Sequence, residues 1–319
     1  MSNDLRDELA AWHGVARENV IAGNGGDELL YNFLLAFGGP GRTLVNVPPT
    51  FSEYAFFASL TQTGVHDVWR DPETFLPQAD ELVAAAGEAS LVILTSPNNP
   101  TGDVAPLELV ARVCDACPGL VMVDEAYGEF AAAGTSAEAL LAEHDNLLVF
   151  HTLSKAFALA GARCGYVIAA PDVIDALAAV RQIYSVNVLT QAAALAAVRA
   201  RAEFDPTVEK IVSERSRLYE SLARVEGVRV WPSEGNFILA RMAGASRVRE
   251  RLRDERSILV RDFSYAPGLA DCLRITVGTP EENDAVIEAL SEIVPEEAAR
   301  AAAAGNEPAC ATNKEDQDD

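Results

Sequence analysis

The chain has 319 residues, of which 49% are apolar, which is enough to bury the cores of one large and one smaller domain. Its formal net charge of −23 opposes binding to nucleic acid and to anionic membranes. The sequence has no apolar run of about 18 residues and no signal-peptide pattern at its N-terminus, so we expect a cytoplasmic protein without a membrane span.

The first forty residues predict a helix, a short strand and a glycine-rich loop. Residues 4–13 place apolar side chains on one helical face, and residues 20–22 are a short apolar run. The loop at 23–28 precedes a second helical pattern, and glycines there let backbone N–H groups approach an anion at the positive end of a helix. The alternative is a tight turn with Asp27 near the N-cap.

Strands and helices then alternate as far as residue 169. We expect strands at 44–47, 65–69, 91–95, 120–123, 147–150 and 164–169, with helices near 50–60, 78–86, 107–117 and 136–143 between them. Thr95, Asp124 and Leu153 follow one another at intervals of 29 residues, a period typical of right-handed βαβ units. The predicted fold class is therefore α/β, a mostly parallel sheet with helices on both faces.

Polar residues follow the predicted strands at their carboxyl ends, where open α/β sheets bind ligands. The topology brings Asn99, Asp124, Tyr127 and Lys155 to one sheet edge. Asp124 ends an apolar run and needs a partner there, either a structural arginine or a cationic ring nitrogen. Lys155 is one of only three lysines, and an amine, unlike a guanidinium, can bond a carbonyl carbon. A solvent-facing lysine at a strand end is the alternative.

The residues around this lysine suit an anion. Thr152, Ser154 and Arg163 flank it and are typical phosphate ligands. An aldehyde cofactor with a pyridine ring and a phosphate group would use the lysine, the aspartate and these residues together.

The C-terminal third predicts a second, smaller domain. We expect a large domain at 1–205, an interdomain helix at 206–226, a small α+β domain at 227–294 and a disordered acidic tail at 295–319. Arg274 lies among apolar strand residues and needs an anion, either a ligand carboxylate or an internal salt bridge.

Cysteine and histidine positions predict neither a disulfide framework nor a metal site. The five cysteines are scattered, and the pair at 114 and 117 falls in a predicted helix with no second pair, which favours a structural role over metal or redox chemistry. The four histidines lack metal-ligand spacing.

Eight stretches, in order along the chain, resemble the fold-type-I pyridoxal-phosphate aminotransferases, and among them most closely the histidinol-phosphate aminotransferases. They are GNGGDE at 23–28, PPTF at 48–51, SPNNPTG at 96–102, DEAY at 124–127, TLSKAF at 152–157, GARCG at 161–165, NFIL at 236–239 and LRITVG at 273–278. The resemblance implies the cofactor pyridoxal 5'-phosphate, amino transfer between histidinol phosphate and 2-oxoglutarate in histidine biosynthesis, and a homodimer.

The resemblance also implies roles for individual residues. Lys155 bonds the cofactor aldehyde and moves the substrate proton, and Asp124 pairs with the ring nitrogen. The remaining roles are contact with the phenolic oxygen (Asn99, Tyr127), stacking on the ring (Phe51), binding of the cofactor phosphate (Gly26, Asp27, Thr152, Ser154, Arg163) and binding of the substrate (Asn187, Arg261, Arg274).

One departure from the family leaves alternatives open. The family's N-terminal arm, which closes the substrate site and supports the dimer, has no counterpart before the first shared helix. We expect its absence to affect turnover, substrate affinity and the strength of the dimer. The alternatives are an aromatic amino-acid aminotransferase, a threonine-phosphate decarboxylase and a non-catalytic protein that still binds pyridoxal phosphate. A nicotinamide-dependent dehydrogenase is disfavoured because no G-x-G-x-x-G fingerprint follows a strand.

Overall fold

The structure is a computed structural model that describes residues 2–305. The strands are β1 (Val20–Gly23), β2 (Thr43–Asn46), β3 (Gly64–Asp67), β4 (Leu91–Thr95), β5 (Leu120–Asp124), β6 (Leu147–Thr152), β7 (Gly165–Ile168), β8 (Val228–Val230), β9 (Phe237–Met242), β10 (Arg261–Asp262) and β11 (Cys272–Thr276). The helices are α1 (Asn3–His13), α2 (Gly26–Phe37), α3 (Glu53–Leu60), α4 (Ala79–Ala86), α5 (Leu107–Ala116), α6 (Pro171–Val180), α7 (Val188–Arg199), α8 (Asp205–Leu222), α9 (Ala245–Arg256) and α10 (Pro280–Gly305).

A seven-stranded sheet in the order β1-β7-β6-β5-β4-β2-β3 forms the centre of the large domain. Strands β2 to β6 are parallel, and β7 runs antiparallel to both of its neighbours. The continuous apolar runs of β4 and β6 are wholly buried, because helices cover both faces of the sheet. The predicted α/β fold with a mostly parallel sheet is confirmed.

The register of the parallel strands brings their polar ends together. Thr95 at the end of β4 lies opposite Asp124 at the end of β5, and Asp124 lies opposite Phe150 in β6. Thr152 then ends β6 three residues before Lys155. The interval of 29 residues in the sequence therefore corresponds to neighbouring positions along one edge of the sheet.

The smaller sheet has the order β10-β11-β9-β8 and is antiparallel throughout. Helices α9 and α10 pack on it around a separate core. Helix α8 joins the two domains, since Ile211 packs against the cores of both. Arg215 of α8 is buried and donates to the carbonyls of Phe130 and Gly235 at 2.9 and 3.0 Å, so its guanidinium ties loops of both domains to the helix.

Two predicted elements differ from the structure. The helix expected at 136–143 is a single 3-10 turn, Ala137–Leu140. Helix α10 continues through Pro295 to Gly305, so the disorder expected from residue 295 is wrong for this part. The buried carboxylate of Glu297 accepts from Arg251 at 3.2 Å and holds the helix beyond the proline. The rest of the predicted tail lies outside the described residues.

Within residues 2–305, every helix is too short or too polar to cross a lipid bilayer.

Candidate active site

A cavity of about 680 Å³ opens between the carboxyl edge of the large sheet and the small domain. This volume lies in the range of small-molecule and cofactor sites. All but one of the predicted site residues line it, namely Gly26, Asp27, Phe51, Asn99, Asp124, Tyr127, Thr152, Ser154, Lys155, Arg163, Arg261 and Arg274. The two residues that must face one cofactor ring, Lys155 and Asp124, thus share a single cavity.

Lys155 lies in the turn that follows β6. Its neighbours Leu153 and Phe157 are buried in the core, and the Leu159 N–H donates to the Leu153 carbonyl at 3.0 Å. The packed neighbours and the closed turn leave the lysine side chain exposed towards the cavity. Its Nζ lies 5.3 Å from the centroid of the Tyr127 ring.

Asp124 is buried, with 3% of its surface exposed, and is held by two hydrogen bonds. Its Oδ2 accepts from the Tyr54 hydroxyl at 2.6 Å, and its Oδ1 accepts from the Ala126 N–H at 2.9 Å. Burial raises the pKa of this carboxyl. No lysine or arginine of the described chain forms an ion pair with it, so the structural-arginine alternative does not apply. A cationic ring nitrogen fits the requirement.

Tyr54 is a site residue that the sequence analysis did not identify. It is fully buried in α3, and besides Asp124 its hydroxyl contacts Thr95 Oγ1 at 2.8 Å. The available signal was its spacing from Phe51 in the helix predicted near 50–60, where residues three apart share a face, although α3 itself begins at Glu53. Their rings meet edge to face, with centroids 5.6 Å apart.

The N-terminus of α2 and the turns around Lys155 form an anion cradle. Gly25 has φ +81°, a backbone conformation that favours glycine, and it lies directly beside Arg163, since a Cβ there would be 2.6 Å from Nη2. Arg163 itself has φ +57° and donates to Asp27 Oδ2 at 2.9 Å. Asp27 is therefore an ion-pair partner in the first turn of the helix, and the N-cap is Gly25. The Thr152 hydroxyl donates to Ser154 Oγ at 3.0 Å beside the cradle.

Two arginines of the small domain form a second positive site on the facing wall. Arg261 and Arg274 are directly paired across β10 and β11. Like charges in this position repel each other unless an anion lies between them. Arg274 Nη1 donates to Asn99 Oδ1 at 2.5 Å, while its buried Nε has no partner. Within the described residues no carboxylate pairs with Arg274, so the internal salt bridge considered from the sequence is not present.

Asn187 is the predicted site residue that the structure does not bring to the cavity. Its Oδ1 accepts from the Thr190 N–H at 2.9 Å, which is an N-cap of α7. The Thr190 hydroxyl in turn donates to the Ala162 carbonyl at 2.6 Å, next to Arg163. Asn187 thus lies outside the cavity and supports the anion cradle indirectly, through Thr190 and Ala162.

Known proteins are similar to this chain in sequence and in fold. The sequence model of the family described as "Aminotransferase class I and II" matches residues 1–290. The histidinol-phosphate aminotransferase of Corynebacterium glutamicum is 41% identical over 298 residues, 91% of this chain and 80% of that protein. The enzyme of the same name from Thermobifida fusca is 44% identical over 292 residues, 90% of this chain and 78% of that protein.

A solved structure of a protein with the same name has a similar fold. The histidinol-phosphate aminotransferase from Sinorhizobium meliloti, in complex with pyridoxal-5'-phosphate, superposes with a TM-score of 0.85. The two sequences are 28% identical, and the match covers 92% of this chain and 82% of the other.

Proposed function

Because the chain belongs to the class I and II aminotransferase family, we propose that it transfers an amino group between histidinol phosphate and 2-oxoglutarate. It is a pyridoxal-phosphate-dependent aminotransferase. The observation that carries the proposed substrate is the presence of two separate anion sites in one cavity. One surrounds Lys155 and suits the cofactor phosphate, and the other is the arginine pair on the facing wall.

The cavity residues fit the cofactor. Glycines at the start of α2 let the backbone pack closely against the cradle, since a Cβ at Gly26 would lie only 2.7 Å from the Phe150 ring. The N–H groups at the start of α2, the hydroxyls of Thr152 and Ser154 and the Arg163 guanidinium are suitable phosphate ligands. The Asp124 carboxylate suits a protonated ring nitrogen, which in turn favours the ionised form of this buried group.

When bound, pyridoxal phosphate supplies an electron sink for the charge that develops at the substrate carbon. The Asp124 carboxylate keeps the ring nitrogen protonated. The Tyr54 hydroxyl donates to this carboxylate and holds it in position. The Lys155 amine takes the proton from the substrate carbon and returns it during transfer. The amide oxygen of Asn99 accepts a hydrogen bond from Arg274. The amide N–H groups of Asn99 are then free to donate to the phenolic oxygen of the cofactor.

The arginine pair supports a phosphate ester as substrate. A phosphate dianion between Arg261 and Arg274 would relieve the repulsion of the paired guanidinium groups and satisfy the buried Arg274 Nε. Arg274 also links substrate and cofactor, since its Nη1 holds Asn99 from the opposite side of the cavity.

The test is amino transfer from glutamate to imidazole-acetol phosphate by the cofactor-loaded protein. We expect the phosphate ester to be preferred over its dephosphorylated analogue. Arg274→Gln should lower kcat/KM for the ester by about 100-fold, because charge-assisted hydrogen bonds contribute about 3 kcal/mol. Arg229→Gln, a change to an exposed arginine of β8 outside the cavity, is the matched control. Lys155→Ala should abolish the visible absorbance of the imine between lysine and cofactor.

Other outcomes separate the alternatives. Turnover of phenylalanine without turnover of the ester would indicate an aromatic amino-acid aminotransferase. Release of carbon dioxide from threonine phosphate would indicate a decarboxylase. Cofactor absorbance without either half-reaction would indicate a protein that binds pyridoxal phosphate but does not catalyse amino transfer.

We also propose that the protein forms a homodimer. Four apolar side chains on the connection between α6 and α7 and the first turn of α7 are largely exposed: Ile183 (79%), Tyr184 (92%), Val188 (76%) and Leu189 (79%). An exposed apolar cluster of this kind is typical of a protein interface. It adjoins Asn187, which supports the anion cradle, so a second copy bound there would also stabilise the active site.

A further inference from the structure

A second cluster of reactive side chains lies outside the cavity. His13 ends α1, Glu138 lies in the 3-10 turn Ala137–Leu140, and His151 belongs to β6. The Glu138 carboxylate lies between the two rings: its Oε2 is 2.8 Å from His13 Nδ1, and its Oε1 is 2.8 Å from His151 Nε2. One ligand atom from each of the three residues lies within 4.8 Å of the other two.

The cluster contains a buried nitrogen without a hydrogen bond. His151 is only 5% exposed, and although its Nε2 is close to Glu138, the angle between them is not that of a hydrogen bond. Buried polar atoms are nearly always satisfied, and one that is not requires an explanation. A buried imidazole nitrogen that lies 2.8 Å from a carboxylate oxygen without a hydrogen bond to it can share a cation with that carboxylate.

The charges around the cluster favour a cation. Glu138 places one carboxylate oxygen 2.8 Å from a nitrogen of each imidazole, so an acidic group lies at the centre of the cluster. Glu125 and Glu129 add buried carboxyl groups near His151. In the part of the chain that the structure describes, neither lysine nor arginine forms an ion pair with any of these glutamates.

The arrangement of the rings suits a shared ion. The His13 and His151 ring centroids are 5.3 Å apart, with 27° between the ring planes. At a Zn–N distance of ~2.0–2.1 Å, two rings with centroids this far apart can both reach one ion. The other nitrogen of His13, Nε2, lies 2.9 Å from the Tyr166 hydroxyl, the kind of outer contact that orients metal-bound histidines.

We propose that His13, Glu138 and His151 bind a divalent transition cation of the zinc class. Two imidazole nitrogens and one carboxylate are a common ligand set for such ions. The Glu138 side chain is 24% exposed and offers a route of entry. The ion ties α1 and the 3-10 turn to β6, the strand that leads to Lys155. This site is independent of the function proposed above.

The experiment uses the full-length, cofactor-loaded protein after treatment with a chelator, with Co²⁺ as the probe. We expect one cobalt ion per chain and visible ligand-field bands at longer wavelength than the cofactor absorbance. Glu138→Gln is a near-isosteric change at a partly exposed position. This variant and His13→Gln should each weaken cobalt binding by more than about 100-fold. Tyr166→Phe should weaken it by about 10- to 100-fold, as is typical when an outer contact of a metal ligand is lost.

His144→Gln is the matched control, because this histidine also faces a carboxylate, Asp115 at 3.6 Å, but has no second imidazole nearby. Circular dichroism establishes that each variant is folded before titration. The proposal fails if the folded parent protein binds no cobalt, or if Glu138→Gln binds it as tightly as the parent. It also fails if the bound ion shows a thiolate charge-transfer band, which would locate it at Cys114 and Cys117.

Discussion

At the residue scale, Tyr54 is the side chain that fixes the buried carboxylate of the active site. Tyr54→Phe removes one of the two hydrogen bonds to Asp124 and keeps the ring in place. Hydrogen bonds to charged groups contribute about 1.5–3 kcal/mol, so we expect cofactor affinity and kcat/KM to fall by about 10- to 100-fold. Absorbance titration and steady-state kinetics measure both. Tyr31→Phe, in α2 outside the cavity, should leave them unchanged.

A second prediction at this scale concerns pH. Burial raises the pKa of Asp124 above its ordinary value of 3.8, so the folded state binds this proton more tightly than the unfolded state. The free energy of unfolding of the cofactor-free protein should therefore fall as pH rises from this ordinary value through the raised one.

The corresponding variant is Asp124→Asn, which removes the titrating group. We expect it to raise the melting temperature of the cofactor-free protein at neutral pH, and to lower cofactor affinity by more than about tenfold because the ring nitrogen loses its anion. Thermal unfolding with and without cofactor measures both effects. A variant that is less stable than the parent in the cofactor-free form would contradict this account.

At the element scale, the N-terminus of α7 supports the turn that carries Arg163. Asn187→Ala removes the cap and should cost about 1 kcal/mol of stability, or about 2 °C in melting temperature for a chain of this size. Asn187→Asp keeps the acceptor oxygen and should remain close to the parent. A direct role of Asn187 in substrate binding predicts the opposite pattern, a higher KM with unchanged stability.

At the scale of the whole molecule, the exposed apolar side chains before and within α7 predict self-association. Leu189→Glu places a charge in this cluster and should weaken the dimer by at least about tenfold. Sedimentation velocity over a range of protein concentrations measures the change. Leu259→Glu is the control, since Leu259 is 75% exposed but belongs to the small domain. Equal dissociation of both variants, or a monomeric parent, would rule out this interface.

The sequence by itself determined the fold class and most of the predicted residues that line the cavity. Apolar runs of strand length at regular intervals define parallel strands, and parallel strands must end at one edge of the sheet. Residues at those ends, such as Asp124 and Lys155, are therefore brought together whatever the details of packing. The cofactor could be inferred because its phosphate, ring nitrogen and aldehyde each require a different residue type.

Only the tertiary structure decided which side chains from distant segments meet. The pairing of Arg261 with Arg274 depends on the register of a two-residue strand, and the bond of Tyr54 to Asp124 depends on how α3 packs on the sheet. The cluster of His13, Glu138 and His151 has no local spacing, since its first two members are 125 residues apart. Such contacts are set by the packing of whole elements, which local sequence patterns do not specify.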